Sequence, residues 1–204
     1  MSTFYTYLQL GFFHIINLRA YDHLVFLLAL CAPYVLADWR RVVALVTSFT
    51  VGHSLTLALA TLGIVAFPAA VIEALIPVTI LLTCAANLRQ AGRAGLSRPE
   101  RRRPDSILWT VPNLLAAVFG LIHGLGFSNY LRELLGQQSR PVLELLSFNV
   151  GVELGQLLIV GLILLLGFLV LRGLGAARRD WLLVVSGAAG GIALMLLLNQ
   201  FTGS

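Results

Sequence analysis

The sequence predicts an all-α fold, a polytopic bundle of membrane-spanning helices. Hydrophobic residues make up 58% of its 204 residues and charged residues only 11%, whereas a soluble domain carries roughly 25% charged residues. The mean hydropathy is +0.90. The longest polar stretch, residues 89–106, is predicted to be a loop. We therefore expect a single transmembrane domain over residues 1–204.

Six stretches are candidates for membrane spans, since a spanning helix needs about 20 mostly apolar residues. A shorter apolar and aromatic segment, residues 4–18, precedes them. It either forms a short helix in the membrane interface or adds to the first span, which is itself short. The predicted spans are 22–37, 42–66, 68–88, 107–131, 142–171 and 181–201.

The arginines predict the orientation of these spans. Eleven of the 14 arginines lie in the loops after the first, third and fifth spans. Because cytoplasmic loops are enriched in basic residues, these three loops are predicted to be cytoplasmic and both termini extracytoplasmic. We expect a multi-pass protein of the bacterial cytoplasmic membrane, in contact with lipid. Topology explains the net charge of +5 without nucleic-acid binding, and a homo-oligomer is compatible with the sequence.

Ionisable side chains inside the apolar stretches are the strongest functional signal. Even the lowest scales put a central charged residue at about 2.5–3.5 kcal/mol, so such residues usually face the bundle interior and have a function. Helical periodicity gives each span one polar face, and these faces are expected to converge. Six residues are the predicted metal ligands: His14, Asp22, His23, His53, His123 and Glu153.

Imidazole nitrogen with carboxylate oxygen suits borderline divalent ions, namely Ni²⁺, Zn²⁺, Co²⁺, Fe²⁺ or Mn²⁺, and does not distinguish among them. Most of the ionisable residues fall in the predicted outer half of their spans, so the site is expected to open to the extracytoplasmic side. The structural alternative for each residue is interhelical hydrogen bonding or solvation at an interface. The predicted supporting or pathway residues are Glu73, Ser54, Thr50, Asn149, Gln156, Asn87 and Asn113.

Several segments together resemble the HupE/UreJ family of membrane proteins. Their order and spacing match over nearly the whole chain, and the histidines and acids above fall within them. The matching segments are 11–15 (GFFHI), 21–26 (YDHLVF), 47–56 (TSFTVGHSLT), 71–76 (VIEALI), 119–127 (FGLIHGLGF) and 148–156 (FNVGVELGQ).

The resemblance implies a nickel or nickel/cobalt permease of the kind that accompanies hydrogenase or urease maturation. It also implies a metal-handling role for His14, Asp22 and His23, which match the family's histidine and Asp-His motif. Hydrogenase-linked members have a shorter gap in this motif and a proline after the first histidine. Here seven residues separate His14 from Asp22, and Ile15 follows His14, which indicates a divergent branch.

Taken together, these observations favour a secondary transporter that admits a divalent transition-metal ion from the extracytoplasmic side through a His/carboxylate site. With no nucleotide-binding motif in the sequence, the membrane potential is the expected driving force. The alternative is an intramembrane zinc-type hydrolase, or a metal sensor, with an outward-facing site. A transporter is preferred to an enzyme because of the family resemblance.

Overall fold

A computed structural model describes residues 3–17, 21–94, 110–135 and 141–202 of the chain. Within these ranges the chain is helical and forms no strand, which confirms the predicted all-α class. A 3₁₀ turn, Leu36–Asp38, precedes α3, and a π-helical segment, Leu169–Gly173, follows α6. The helices are α1 (Thr3–Ile16), α2 (Asp22–Cys31), α3 (Trp39–Thr61), α4 (Ala69–Ala94), α5 (Val111–Leu135), α6 (Pro141–Phe168) and α7 (Arg178–Thr202).

Five of these helices, α3 to α7, are long and apolar enough to cross a membrane. They correspond to the second to sixth predicted spans. Thr110 immediately precedes α5, and its hydroxyl accepts a hydrogen bond from the backbone N–H of Asn113 at 3.4 Å. Some predicted features lie outside the described residues, including the start of the fourth span at 107–109, Leu18, and the arginines at 19, 98, 101–103 and 140.

The first predicted span, 22–37, differs from the structure. Its helical part is α2, whose ten residues extend only about 15 Å at 1.5 Å per residue. Ala32 caps the helix, and Pro33, which has no backbone N–H to continue the helical hydrogen bonds, follows it. The segment before it, predicted over 4–18, is α1. Helix α1 packs along α6, whereas α2 packs mainly against α4 and α7, so the two short helices occupy different parts of the bundle.

Two pairs of parallel helices form the centre of the bundle. In the first pair, Leu8 of α1 faces Gly151 of α6 and Phe12 faces Gly155. In the second pair, α3 packs on α5, and Gly120 lies against Phe49. We call the end at which α1, α4 and α6 begin the outer end, following the orientation predicted from the arginines, and the opposite end the inner end.

Glycine makes these close helix contacts, because its missing side chain lets two backbones approach. A Cβ atom at Gly120 would lie 2.1 Å from the carbonyl oxygen of Phe49, and one at Gly124 would lie 2.2 Å from that of His53. A Cβ at Gly11 would lie 2.0 Å from the carbonyl oxygen of Phe148. Larger residues would force the backbones apart next to His14, His53 and His123.

We predict that Gly120→Ala destabilises the protein, whereas Gly161→Ala does not. The added methyl group at position 120 meets backbone, and overpacking of this kind costs about 1–3 kcal/mol. A methyl group at position 161 would meet no neighbouring helix within 4 Å, so alanine there should gain up to about 1 kcal/mol of helix propensity. Thermal unfolding in detergent measures both. Equal melting temperatures for the two variants would contradict the close approach of α3 and α5.

Candidate metal centre

All four histidines of the chain meet where α1 ends and α2 begins. His14 lies in the last turn of α1, and His23 is the second residue of α2. His53 comes from α3 and His123 from α5. His53 and His123 are fully buried, with 0% and 1% of their surface exposed, and His23 is 5% exposed. The break between α1 and α2 thus brings two histidines from one stretch of chain into contact with two from the long helices.

The ligating atoms form two groups of three. One consists of His14, His23 and His53, and the other of Asp22, His23 and His123. Within each group the three ligand atoms lie within 4.8 Å of one another, and His23 belongs to both. We call these the first triad and the second triad. Nδ1 of His23 lies 3.3 Å from Oδ2 of Asp22, the only ion-pair contact among the described residues.

The ring nitrogens of this cluster are buried without hydrogen bonds. Six of the eight have no hydrogen-bond partner of normal geometry among the described residues. A buried polar atom left unbonded costs about 1–3 kcal/mol, so native proteins rarely accumulate several of them in one place. The six are Nε2 of His14, both nitrogens of His23, both nitrogens of His53 and Nδ1 of His123.

The His123 ring is oriented by Thr79 of α4. Nε2 of His123 lies 3.0 Å from the Thr79 hydroxyl, and that hydroxyl donates to the carbonyl oxygen of Ile76 at 2.7 Å. A hydroxyl has a single proton to donate. Thr79 therefore accepts from Nε2–H of His123, which leaves the lone pair on Nδ1, the nitrogen available to the second triad. Hydrogen bonds of this kind commonly fix the tautomer of a metal-binding histidine.

Aromatic rings enclose the cluster on two sides. On one side, the ring of Phe127 lies 4.0 Å from that of His14 and stacks on Phe148 at 5.1 Å. On the other side, the rings of Phe26 and Phe49 lie 5.0 and 5.2 Å from that of His123. Both Phe26 and Phe49 are completely buried. These apolar walls keep the local dielectric low and limit the access of water.

An open cleft reaches the cluster at His14. Its volume is about 700 Å³, and it lies between α1 and the outer part of α5. Thr6, Gln9 and Asn17 contribute polar groups, and Phe13 and Phe127 contribute apolar walls. In the second triad, His23 and His123 are buried and the Asp22 side chain is 22% exposed. His14 is therefore the histidine nearest to an opening.

Comparison with known proteins identifies the family. The family model described as HupE / UreJ protein matches residues 1–201, essentially the whole chain. The chain belongs to the HupE/UreJ family. This family is associated with nickel/cobalt transport. Neither a curated protein nor a solved structure matches the chain.

In this HupE/UreJ protein, five of the six predicted metal ligands come together, and Glu153 lies apart from them. Its carboxylate accepts hydrogen bonds from the hydroxyls of Thr47, at 2.7 Å, and Thr50. The Thr50 hydroxyl also lies 2.7 Å from Oε1 of the buried Gln156. Thr50 precedes His53 by one turn on α3, so this Glu153 network lies on the inner side of the histidines. Thr50 and Gln156 thus support Glu153 and not a histidine.

The remaining predicted residues have separate locations. Asn87 donates to the carbonyl oxygen of Ala29, at 2.8 Å, and to the hydroxyl of Ser186, at 3.1 Å, and so joins α4 to α2 and α7. Glu73 is exposed and lines a small cavity near the outer end, with a volume of about 50 Å³. Ser54 is half-buried beside His53, and Asn113 is buried in the first turn of α5. Asn149 donates to the carbonyl oxygen of Leu145 at 2.9 Å, and its side chain also lies within hydrogen-bonding reach of His53.

Sequence reasoning missed Thr79 and the aromatic walls. Glu73 and Asn87 were the predicted supporting residues of α4, and Thr79 of the same helix was not among them. The spacing of Thr79, Thr83 and Asn87 at intervals of four was the available signal. The buried Glu144, near the outer end of α6, was also missed because it was assigned to no polar face.

We predict that Thr79→Val weakens Ni²⁺ binding by up to about tenfold, the lower end of the range seen when a supporting hydrogen bond to a metal ligand is lost, because only the second triad contains His123. Valine keeps the shape of threonine but cannot accept from Nε2 of His123. Isothermal titration of the purified protein measures the affinity. Thr79→Ser retains the hydroxyl and should bind almost as tightly as the wild type.

Thr83→Val is the matched control for this prediction. Its hydroxyl donates to the carbonyl oxygen of Thr79 at 2.8 Å, one turn further along α4. Its loss should leave the Ni²⁺ affinity within about threefold of the wild type. Equal losses in Thr79→Val and Thr83→Val would show that the effect comes from the helix and not from the His123 hydrogen bond.

Proposed function

We propose that this protein is a secondary transporter that carries a divalent transition-metal ion inward across the cytoplasmic membrane, with both termini extracytoplasmic. The observation that carries the proposal is the convergence of Asp22 with six unbonded, buried imidazole nitrogens. Family membership supports the same conclusion, because HupE/UreJ proteins are associated with nickel/cobalt transport.

A metal ion would relieve the main energetic cost of the cluster. Each neutral imidazole offers one lone pair, and a dication accepts several such pairs at about 2.0–2.1 Å. The ion also offsets the charge of Asp22, which lies within the bundle and has only His23 as an ion-pair partner among the described residues. The ring nitrogens and the carboxylate therefore gain partners together when a cation binds.

Nitrogen and oxygen donors without a thiolate suit Ni²⁺ and Co²⁺, and they are equally compatible with Zn²⁺, Fe²⁺ and Mn²⁺. Both cysteines, Cys31 and Cys84, are buried elsewhere and belong to neither triad. Family membership favours Ni²⁺ or Co²⁺ as the transported ion. The ion is a substrate in this proposal and not a permanent cofactor.

The polar groups suggest a route through the bundle. An ion would enter by the cleft beside His14, bind at the histidines, and leave past the Glu153 network on the inner side. Thr50 and Thr47 precede His53 by three and six residues, which corresponds to about 4.5 and 9 Å along α3. The membrane potential can drive this movement, since a dication gains about 4.6 kcal/mol per 100 mV.

An intramembrane metal-dependent hydrolase, or a metal sensor, is the second candidate. It is favoured by the aromatic wall of Phe26 and Phe49 next to His123, because a catalytic or sensing site needs no exit toward the inner end. Transport instead requires this wall to open during the cycle. Binding alone does not distinguish the two, whereas uptake does.

We predict that the purified wild type binds Ni²⁺ and that proteoliposomes containing it accumulate ⁶³Ni²⁺ under an inside-negative potential. Asp22→Asn and His23→Asn should both abolish uptake, since each removes a ligand from the cluster, and His23→Asn, which damages both triads, should also lower the affinity at least about 100-fold. Asp180→Asn is the matched control: it changes an exposed aspartate at the inner end of α7 and should behave as the wild type.

Binding that depends on His23, without uptake at any potential, would contradict transport and favour the hydrolase or sensor. Equal, negligible Ni²⁺ content in the wild type and in both variants, with the same result for Co²⁺ and Zn²⁺, would contradict every metal-dependent function.

A further inference from the structure

His23 occupies the central position among the histidines. Its ring centroid lies 4.8 Å from that of His14, 5.3 Å from that of His123 and 6.2 Å from that of His53. It is the one residue that both triads contain. The other four ligands divide into two pairs, His14 with His53 and Asp22 with His123.

The five side chains do not converge on a single ion position. Ligand atoms around a metal ion lie about 2.0–2.2 Å from it, so two of them are separated by no more than about 4.4 Å. Only within each triad are all three ligand atoms within 4.8 Å of one another. Small side-chain movements would bring the three ligand atoms of either triad within bonding distance of one ion. His53 and His123, in contrast, belong to no common group among the described residues.

Because both triads need His23 as a ligand, its chemistry allows only one triad to hold an ion at a time. A neutral imidazole has one N–H and one lone pair, so it can ligate one ion at a time. Nδ1 of His23 faces Asp22 of the second triad at 3.3 Å, which leaves Nε2 for the first triad. Before an ion binds, the Asp22 carboxylate favours the proton on Nδ1, so the lone pair is on Nε2, which is buried and has no hydrogen-bond partner among the described residues.

The surroundings of the two triads indicate the order in which an entering ion reaches them. His14 of the first triad lines the open cleft, whereas His123 of the second triad packs on the buried rings of Phe26 and Phe49. An ion arriving through the cleft meets the first triad before the second.

We propose that the cluster contains two overlapping metal positions that share His23 and are occupied one at a time. A divalent cation binds first at His14, His23 and His53, and then passes to Asp22, His23 and His123. As Nδ1 of His23 replaces Nε2 as the ligating nitrogen, Nδ1 gives its proton to water and Nε2 takes one proton from water, so that the ring stays neutral with a single N–H. This inference rests on the proposed function, because it describes how the transported ion moves within the site.

Co²⁺ is the probe, because its d–d absorption bands report the ligand set. His53→Asn removes a ligand from the first triad only, and His123→Asn removes one from the second only. Each variant should bind one Co²⁺ with an affinity within about tenfold of the wild type. The two spectra should differ, because His123→Asn retains a set of three imidazoles and His53→Asn retains a set that includes a carboxylate. The wild type should bind one Co²⁺ and show a mixture of the two spectra.

The combined variants and the uptake assay complete the test. His23→Asn and the double variant His53→Asn/His123→Asn damage both positions and should lose at least 100-fold in affinity. The two single variants should bind but not transport, because passage requires both positions. Thr83→Val is the control for changes in the bundle, and circular dichroism with size-exclusion chromatography selects folded variants. If an asparagine variant is unfolded, the glutamine variant at the same position replaces it.

Three results would overturn the inference. Losses above 100-fold in both single variants would show one site that uses His53 and His123 together. Two Co²⁺ ions bound at once by the wild type would show that the positions are not alternatives. Identical spectra for the two single variants would show that there is one ligand set. A wild type that binds no Co²⁺, Ni²⁺ or Zn²⁺ would instead refute the proposed function itself.

Discussion

Buried imidazole nitrogens without hydrogen bonds are the constraint on which this structure depends. Histidines inside an apolar bundle normally satisfy their nitrogens with backbone or side-chain partners. Here six ring nitrogens are buried without a hydrogen bond of normal geometry among the described residues, and aromatic rings line the cluster on two sides. Such an arrangement is costly unless something else occupies the space between the rings, and a cation is the partner that suits lone pairs and a nearby carboxylate.

The helix packing serves this arrangement. Glycines at the contacts of α1 with α6 and of α3 with α5 bring backbones together immediately beside three of the histidines. The interruption between α1 and α2 ends one helix two residues after His14 and begins the next at Asp22, so that two helix ends face the centre of the bundle. Discontinuous helices are a recurrent way to place ligands and charged groups inside a membrane protein.

The sequence predicted much of this because its signals are physical. Composition and the length of apolar stretches predicted the helical bundle, and the expense of ionisable groups in lipid singled out His14, Asp22, His23, His53 and His123. Periodicity assigns a residue to a helix face, but it does not give the rotation of that helix relative to its neighbours. For this reason the sequence predicted Glu153 as a ligand beside the histidines, although Thr47 and Thr50 of α3 donate hydrogen bonds to its carboxylate. For the same reason Thr79, which orients His123, was not predicted.

X-ray absorption spectroscopy of the Ni²⁺-loaded protein is the decisive measurement, because it reports the atoms around the ion. We expect a first shell of nitrogen and oxygen, with multiple-scattering features from two to three imidazole rings and no sulfur. Nickel surrounded by oxygen alone, without imidazole scattering, would contradict a metal centre built from the histidines, because the ion would then be bound somewhere else.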